Sequence, residues 1–122
     1  MSIKVKFFEI PAKDFNRAIS FYENIFNVKL KVMEDENEKM GFFIGEKKDF
    51  IGAVSTTKNF EPSNQGVLLS FQIDENMEKI LSKIKDNDGK IQIPKTKISG
   101  NKGYFSTFLD CEGNRIGLYS DE

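Results

Sequence analysis

The sequence predicts an α+β fold in which two βαβββ modules jointly form a cup-shaped sheet. Three observations predict it: short β-rich stretches bounded by turn residues, one amphipathic helical stripe after the first strand of each half, and an element order that occurs twice. One small sheet with a single helix leaves its other face exposed, so a duplicated unit can close a shared cup. An α+β domain without internal symmetry is the alternative.

Residues 3–10 (Ile-Lys-Val-Lys-Phe-Phe-Glu-Ile) read as the first strand, and Pro11 ends its ladder because proline has no N–H to donate. Asp14 is placed to cap a helix over 14–26. There Phe15, Ala18, Ile19, Tyr22, Ile25 and Phe26 recur at spacings of three and four, a buried helical stripe. Three strands follow, Val28–Met33, Met40–Ile44 and Phe50–Thr56, separated by Glu34–Glu38 and Gly45–Lys48. Module 1 thus spans residues 1–57.

A linker over 58–65 contains Phe60-Glu61-Pro62-Ser63, read as the hinge between modules, with a loop over the cup mouth as the other possibility. Module 2 (66–122) repeats the order. Val67–Ile73 is a strand, and Asp74 is placed to cap a helix carrying Met77, Ile80, Leu81 and Ile84, which Asp88-Gly89 stops. The last strands are Lys90–Ile93, Tyr104–Leu109 and Arg115–Tyr119. Between the final two, Asp110-Cys111-Glu112-Gly113-Asn114 forms a turn whose positive-φ position suits Gly113.

Composition excludes several function classes. Eighteen basic and nineteen acidic residues, spread without a basic block, offer nothing to a nucleic-acid backbone. No apolar run reaches the roughly 18 residues of a membrane span, and the charged N-terminal alternation is unlike a signal peptide. The single Cys111 has no internal disulfide partner, which fits a reducing cytoplasm. With no histidine, no imidazole can serve as acid, base or metal ligand.

Strand parity selects the candidate binding residues. In each strand the more continuously apolar set should face the helices, leaving the other set to the cup. Phe8, Ile10, Val67, Leu69, Phe71, Ile73, Ile116 and Leu118 go to the helices. The cup then receives Phe7, Glu9, Leu68, Ser70, Gln72, Arg115 and Tyr119, a mixture suited to a small molecule. A salt bridge between Glu9 and Arg115 is the plainer alternative for those two. Glu9 has no second carboxylate or cysteine beside it, so it is a candidate base only if burial raises its pKa. Lys95 with Arg115 could bind an anion, and Tyr104-Phe105 could form an aromatic wall, although exposed strand and ordinary core account for both.

The stretch Phe8 to Glu23, through Arg17-Ala18-Ile19-Ser20-Phe21-Tyr22, and the closing Phe108-Leu109-Asp110-Cys111-Glu112-Gly113-Asn114-Arg115 resemble the vicinal oxygen chelate superfamily of glyoxalases, bleomycin-resistance proteins and extradiol dioxygenases. The resemblance covers nearly the whole chain and looks closest to a metal-less, glyoxalase-related branch. It implies four metal-ligand positions, which fall on Phe7, within Gly52-Ala53-Val54, on Leu68 and on Gly117. None of these side chains can coordinate a divalent cation. The resemblance also implies a homodimer, with modules paired within one chain or between two. The resulting expectation is a metal-free, cofactor-free protein that binds a small aromatic or anionic compound. A metal-independent lyase or isomerase using Glu9, and a dimeric scaffold with a filled cup, are the alternatives.

Overall fold

The β-rich stretches become eight strands in the computed structural model, which describes residues 1–122. Module 1 contains β1 (Phe8–Pro11), α1 (Phe15–Phe26), β2 (Lys31–Glu34), β3 (Glu38–Ile44) and β4 (Phe50–Thr57). Module 2 contains β5 (Leu69–Gln72), α2 (Met77–Asp86), β6 (Lys90–Lys97), β7 (Tyr104–Leu109) and β8 (Arg115–Ser120). The two sheets have matching orders, β1-β4-β3-β2 and β5-β8-β7-β6, and in each the first strand runs parallel to the last. Two βαβββ modules therefore form the fold.

Several boundaries differ from those expected, each for a local reason. The first strand begins at Phe8 because β1 is as long as its register with Gly52–Ser55 of β4; residues 1–6 are exposed. Pro11 remains in register opposite Ser55, and the next ladder bond is donated by Ala12 N–H to the Ser55 carbonyl at 2.9 Å. Val67 lies outside β5 and is fully exposed rather than helix-facing. The α2 cap is Asn76, whose side chain accepts from Lys79 N–H, so the helix starts later than Asp74 would place it. Strand β6 continues past Pro94 because register shifts on either side of Ile93 take the proline out of the ladder.

The helical stripes are buried as their spacing requires: Phe15, Ala18, Ile19, Tyr22 and Ile25 on α1, and Met77, Ile80, Leu81 and Ile84 on α2. They join one core that includes Ile10, Phe43 and Val54 of module 1 with Phe108, Ile116 and Leu118 of module 2. Edge strands β1 and β5 face one another along the seam between the sheets. There Phe71 of β5 meets four module 1 rings: Phe8 edge-on at 5.6 Å, Phe26 at 5.0 Å, Phe43 at 5.3 Å and Tyr22 at 6.4 Å. The Phe-rich composition is thus spent at the joint between modules.

Because Phe71 contacts both halves, Phe71→Ala should cost about 3 kcal/mol, and the two modules should still unfold together. Urea unfolding followed by far-UV circular dichroism checks this. A second transition, or no loss of stability, contradicts a shared aromatic core.

Candidate functional site

On the side of β1 away from α1, Glu9 points toward β4, where its carboxylate accepts a hydrogen bond from Ser55 Oγ at 2.9 Å. Ile10, one residue on, is 3% exposed in the core, so the alternation of the strand delivers Glu9 to the open face. A cleft of about 560 Å³ runs along the seam at this level. Phe7 and Glu9 of the first strand line one wall, Leu68 and Ser70 the other, and Arg115 stands at the start of β8. Five of the seven residues chosen by parity line the cleft, but so do Phe8, Ile10, Val67, Leu69 and Ile116, which parity assigned to the helices, because the cleft opens along the strand edges at the seam.

The other two are placed elsewhere. Gln72 lies further along β5, in an apolar hollow of about 250 Å³ with Phe26, Leu30 and Ile80. Tyr119 is at the far end of β8, where its hydroxyl donates to the Lys102 carbonyl at 2.5 Å. Both share the parity of their strands' cleft residues, but a seam-end cleft spans only a short length of each strand. Lys95 is also separate from Arg115: its ammonium sits 4.5 Å from the centre of the Tyr104 ring.

The linker contributes four further residues that were not selected from the sequence as binding residues. Phe60, Glu61, Ser63 and Gln65 of the linker line the cleft, so this segment forms one of its walls, and the hinge reading is replaced by the loop reading. The linker is held in place by the Lys13–Glu61 ion pair at 2.7 Å and by Ser63 N–H donating to Asn114 Oδ1 at 3.0 Å. No local pattern announces such bonds, since their partners are remote in sequence. Ser55, by contrast, could have been inferred once β4 was paired in parallel with β1.

Glu9 and Arg115 do not form the salt bridge that offered the plainer reading of both. The chain's three ion pairs join Lys13 to Glu61 and Arg17 to Asp14 and Glu112. The cleft thus presents a carboxylate and a guanidinium, with Phe7, Phe60 and Leu68 as apolar surface.

The closing turn anchors the end of the cleft. Tyr22 of α1 donates its buried hydroxyl to Asp110 Oδ2 at 2.5 Å, and burial followed by the Asp110 charge raises the phenol pKa well above its ordinary value. Asp110 also accepts from Glu112 N–H, Asn114 N–H and the Asn114 amide. Asn114 in turn donates to the Pro11 carbonyl at 2.8 Å, and Gly113 has φ 90° as the turn demands. Glu112 reaches across to module 1, accepting from Lys13 N–H at 2.6 Å, Asp14 N–H at 3.2 Å and the Arg17 guanidinium at 2.8 Å. Burial alone would raise the Glu112 pKa, but these donors outweigh it and lower it below the ordinary 4.5. Cys111 is half-buried, and burial with the Asp110 charge pushes its thiol up to about 12, so it is no nucleophile at neutral pH.

Two paired βαβββ modules with a cleft at their seam define a class of duplicated α+β cup folds. A family model described as the Glyoxalase/Bleomycin resistance protein/Dioxygenase superfamily matches residues 4–118. The chain belongs to this superfamily. Among solved structures it is similar to glyoxalase I from Zea mays, with TM-score 0.73 and 16% identity over 95% of this chain and 45% of that one. It is similar also to the fosfomycin resistance protein FosX from Listeria monocytogenes in complex with Mn(II) and sulfate, with TM-score 0.72 and 19% identity over 98% and 91% of the two chains. A glyoxalase/bleomycin resistance protein/dioxygenase family enzyme from Burkholderia phytofirmans matches at TM-score 0.71 and 13% identity over 98% and 100%. The chain spans less than half the length of the maize protein, and identities this low speak for the fold alone. No curated protein sequence matches it.

The four positions to which the resemblance assigns metal ligands do not fit a metal. Phe7 packs its ring 6.1 Å from that of Phe42, Ala53 is wholly buried, Leu68 offers only hydrocarbon, and the space beside Gly117 is taken by the Ser70 hydroxyl. No group of three or more His, Cys, Asp or Glu side chains is arranged to hold an ion. No helix is long and apolar enough to cross a membrane.

The lowered Glu112 pKa makes a pH prediction. Its stabilisation is complete above pH 4.5 and is lost as the pH falls through the folded-state value. Glu112→Gln should therefore cost about 1–3 kcal/mol near neutrality, and the gap to the parent should narrow in acid. Urea titrations across the acid range measure that gap, and a gap independent of pH contradicts the assignment.

Proposed function

We propose that this protein is a metal-free, small-molecule-binding member of its superfamily that takes an aromatic or anionic compound in the seam cleft and acts as a homodimer. The observation that carries the reading is the cleft wall itself: Glu9 and Arg115, of opposite charge and without an ion pair to each other, flank apolar surface from Phe7, Phe60 and Leu68. A few oriented polar groups on a mostly apolar lining are what fix a small ligand. The lack of donor side chains at the four inherited positions supports the metal-free part. Apolar surface on module 1 supports self-association, with Met33 54% and Phe50 43% exposed and Phe50 stacked on Phe42 at 4.4 Å.

A second reading rests on the Ser55 hydrogen bond, which orients the Glu9 carboxylate on the wall, although Glu9 is exposed in the free protein and a bound substrate must supply the burial that a base there needs. In that reading Glu9 removes a proton from a bound substrate in a lyase or isomerase reaction, and Arg115 stabilises the oxyanion that results.

A thermal-shift panel of aromatic and anionic metabolites tests the binding reading, because a ligand of the folded state raises its melting temperature. Arg115→Ala should weaken an anionic ligand roughly ten- to a hundredfold. Absence of any shift across the panel overturns the proposal, as does stoichiometric metal in protein purified without chelator. Turnover that vanishes in Glu9→Gln while binding persists selects the enzymatic reading.

A further inference from the structure

Thr107 lies on β7 directly opposite Gly117 of β8, which gives it the same face of the sheet as Arg115 two residues earlier on β8. It is 2% exposed, and its Oγ1 is the one buried side-chain nitrogen or oxygen in the chain without a hydrogen-bond partner. Buried hydroxyls are ordinarily paired, so an orphan of this kind points to a role outside the fold's own bonding. Thr107 lines a hollow of about 330 Å³ together with Asn64 and Gln65 of the linker, Gln92 and Ile93 of β6, and Arg115. Gln65 and Arg115 also line the seam cleft, so the hollow is an annex of it.

The chemistry of the annex is one-sided. Arg115 contributes a positive charge and a fork of N–H donors and Gln92 an amide, while the unpaired Thr107 hydroxyl lies just beneath the surface and meets a ligand when its side chain turns outward; no carboxylate lines the annex. The Gln65 amide donates to Asn64 Oδ1 at 3.3 Å, which leaves the Asn64 NH₂ as another donor. Such a set matches an oxyanion, which accepts several hydrogen bonds and neutralises the guanidinium.

We infer that the annex formed by Thr107, Gln92, Arg115 and the linker amides is an oxyanion subsite, so that the ligand is amphiphilic. Its apolar body lies against Phe7, Phe60 and Leu68, and its carboxylate, sulfate or phosphate group enters the annex. This rests on the binding reading above for the apolar body, whereas the annex can be tested by itself.

Chemical-shift perturbation in isotopically labelled full-length protein separates the two. Inorganic phosphate alone, benzyl alcohol, benzoate and phenyl phosphate are titrated in turn. Phosphate should move Thr107, Gln92 and Arg115, benzyl alcohol should move Phe7, Phe60 and Leu68, and the two aromatic anions should move both sets while binding at least tenfold more tightly than the alcohol. Benzoate against phenyl phosphate distinguishes a carboxylate from a phosphate head. Thr107→Val should leave the melting temperature of the free protein unchanged or higher, since no protein bond is lost, yet weaken phosphate and phenyl phosphate severalfold. Arg115→Met should weaken them further, whereas Lys95→Met, the same charge change remote from the annex, should not. If benzyl alcohol binds the cleft but anions bind no better and leave the annex unmoved, the subsite is overturned and the binding reading stands. If phosphate moves the annex but no aromatic enters the cleft, the binding reading fails and the subsite stands. If Thr107→Val lowers the melting temperature and leaves anion affinity intact, the hydroxyl is structural and the inference is wrong.

Discussion

The buried contact between the Tyr22 hydroxyl and the Asp110 carboxylate is the point on which the two halves of the molecule are registered. One partner comes from the first helix and the other from the last turn, so neither half can satisfy it alone. A buried carboxylate is costly unless fully hydrogen-bonded, and Asp110 obtains its remaining donors from its own turn. That turn, once formed, places Asn114 on the Pro11 carbonyl and Glu112 on the start of α1. The end of β1, the entry to α1 and the linker are therefore set by a single five-residue loop at the far end of the chain.

The cleft inherits its geometry from that loop. Arg115 is the residue after Asn114, and Glu9 lies two before Pro11, so both charges are positioned within two residues of the same anchor. Ser63, tied to Asn114, carries the linker across the opening. The exposed Arg115 and Glu9 line the same space without an ion pair to each other, and the Glu9 carboxylate accepts from Ser55 instead.

Much of this was legible in the sequence because it is periodic. The helical stripes of α1 and α2, the duplicated order and the turn at Gly113 each follow from spacing or from a φ requirement. Parity selected Phe7, Glu9, Leu68, Ser70 and Arg115, which line the cleft, but it could not show that Phe8, Ile10, Val67, Leu69 and Ile116 line it too. It could not say how far along a strand the cleft extends, and so it also selected Gln72 and Tyr119. The linker's role as a wall was hidden because it depends on bonds from Lys13 and Asn114, fifty residues or so distant, for which sequence carries no periodic signal. The extension of β6 through Pro94 was hidden by the register shifts that make a proline tolerable there.

The glycine at 117 has a consequence for how the site can change. A side chain there would meet the Ser70 hydroxyl, with the Ser70 Cβ itself at 3.2 Å. Position 117 therefore accepts nothing larger until Ser70 turns away or is replaced. Positions 70 and 117 are therefore coupled: a side chain at 117 enters once the Ser70 hydroxyl rotates aside, and most easily when Ser70 is itself replaced by glycine.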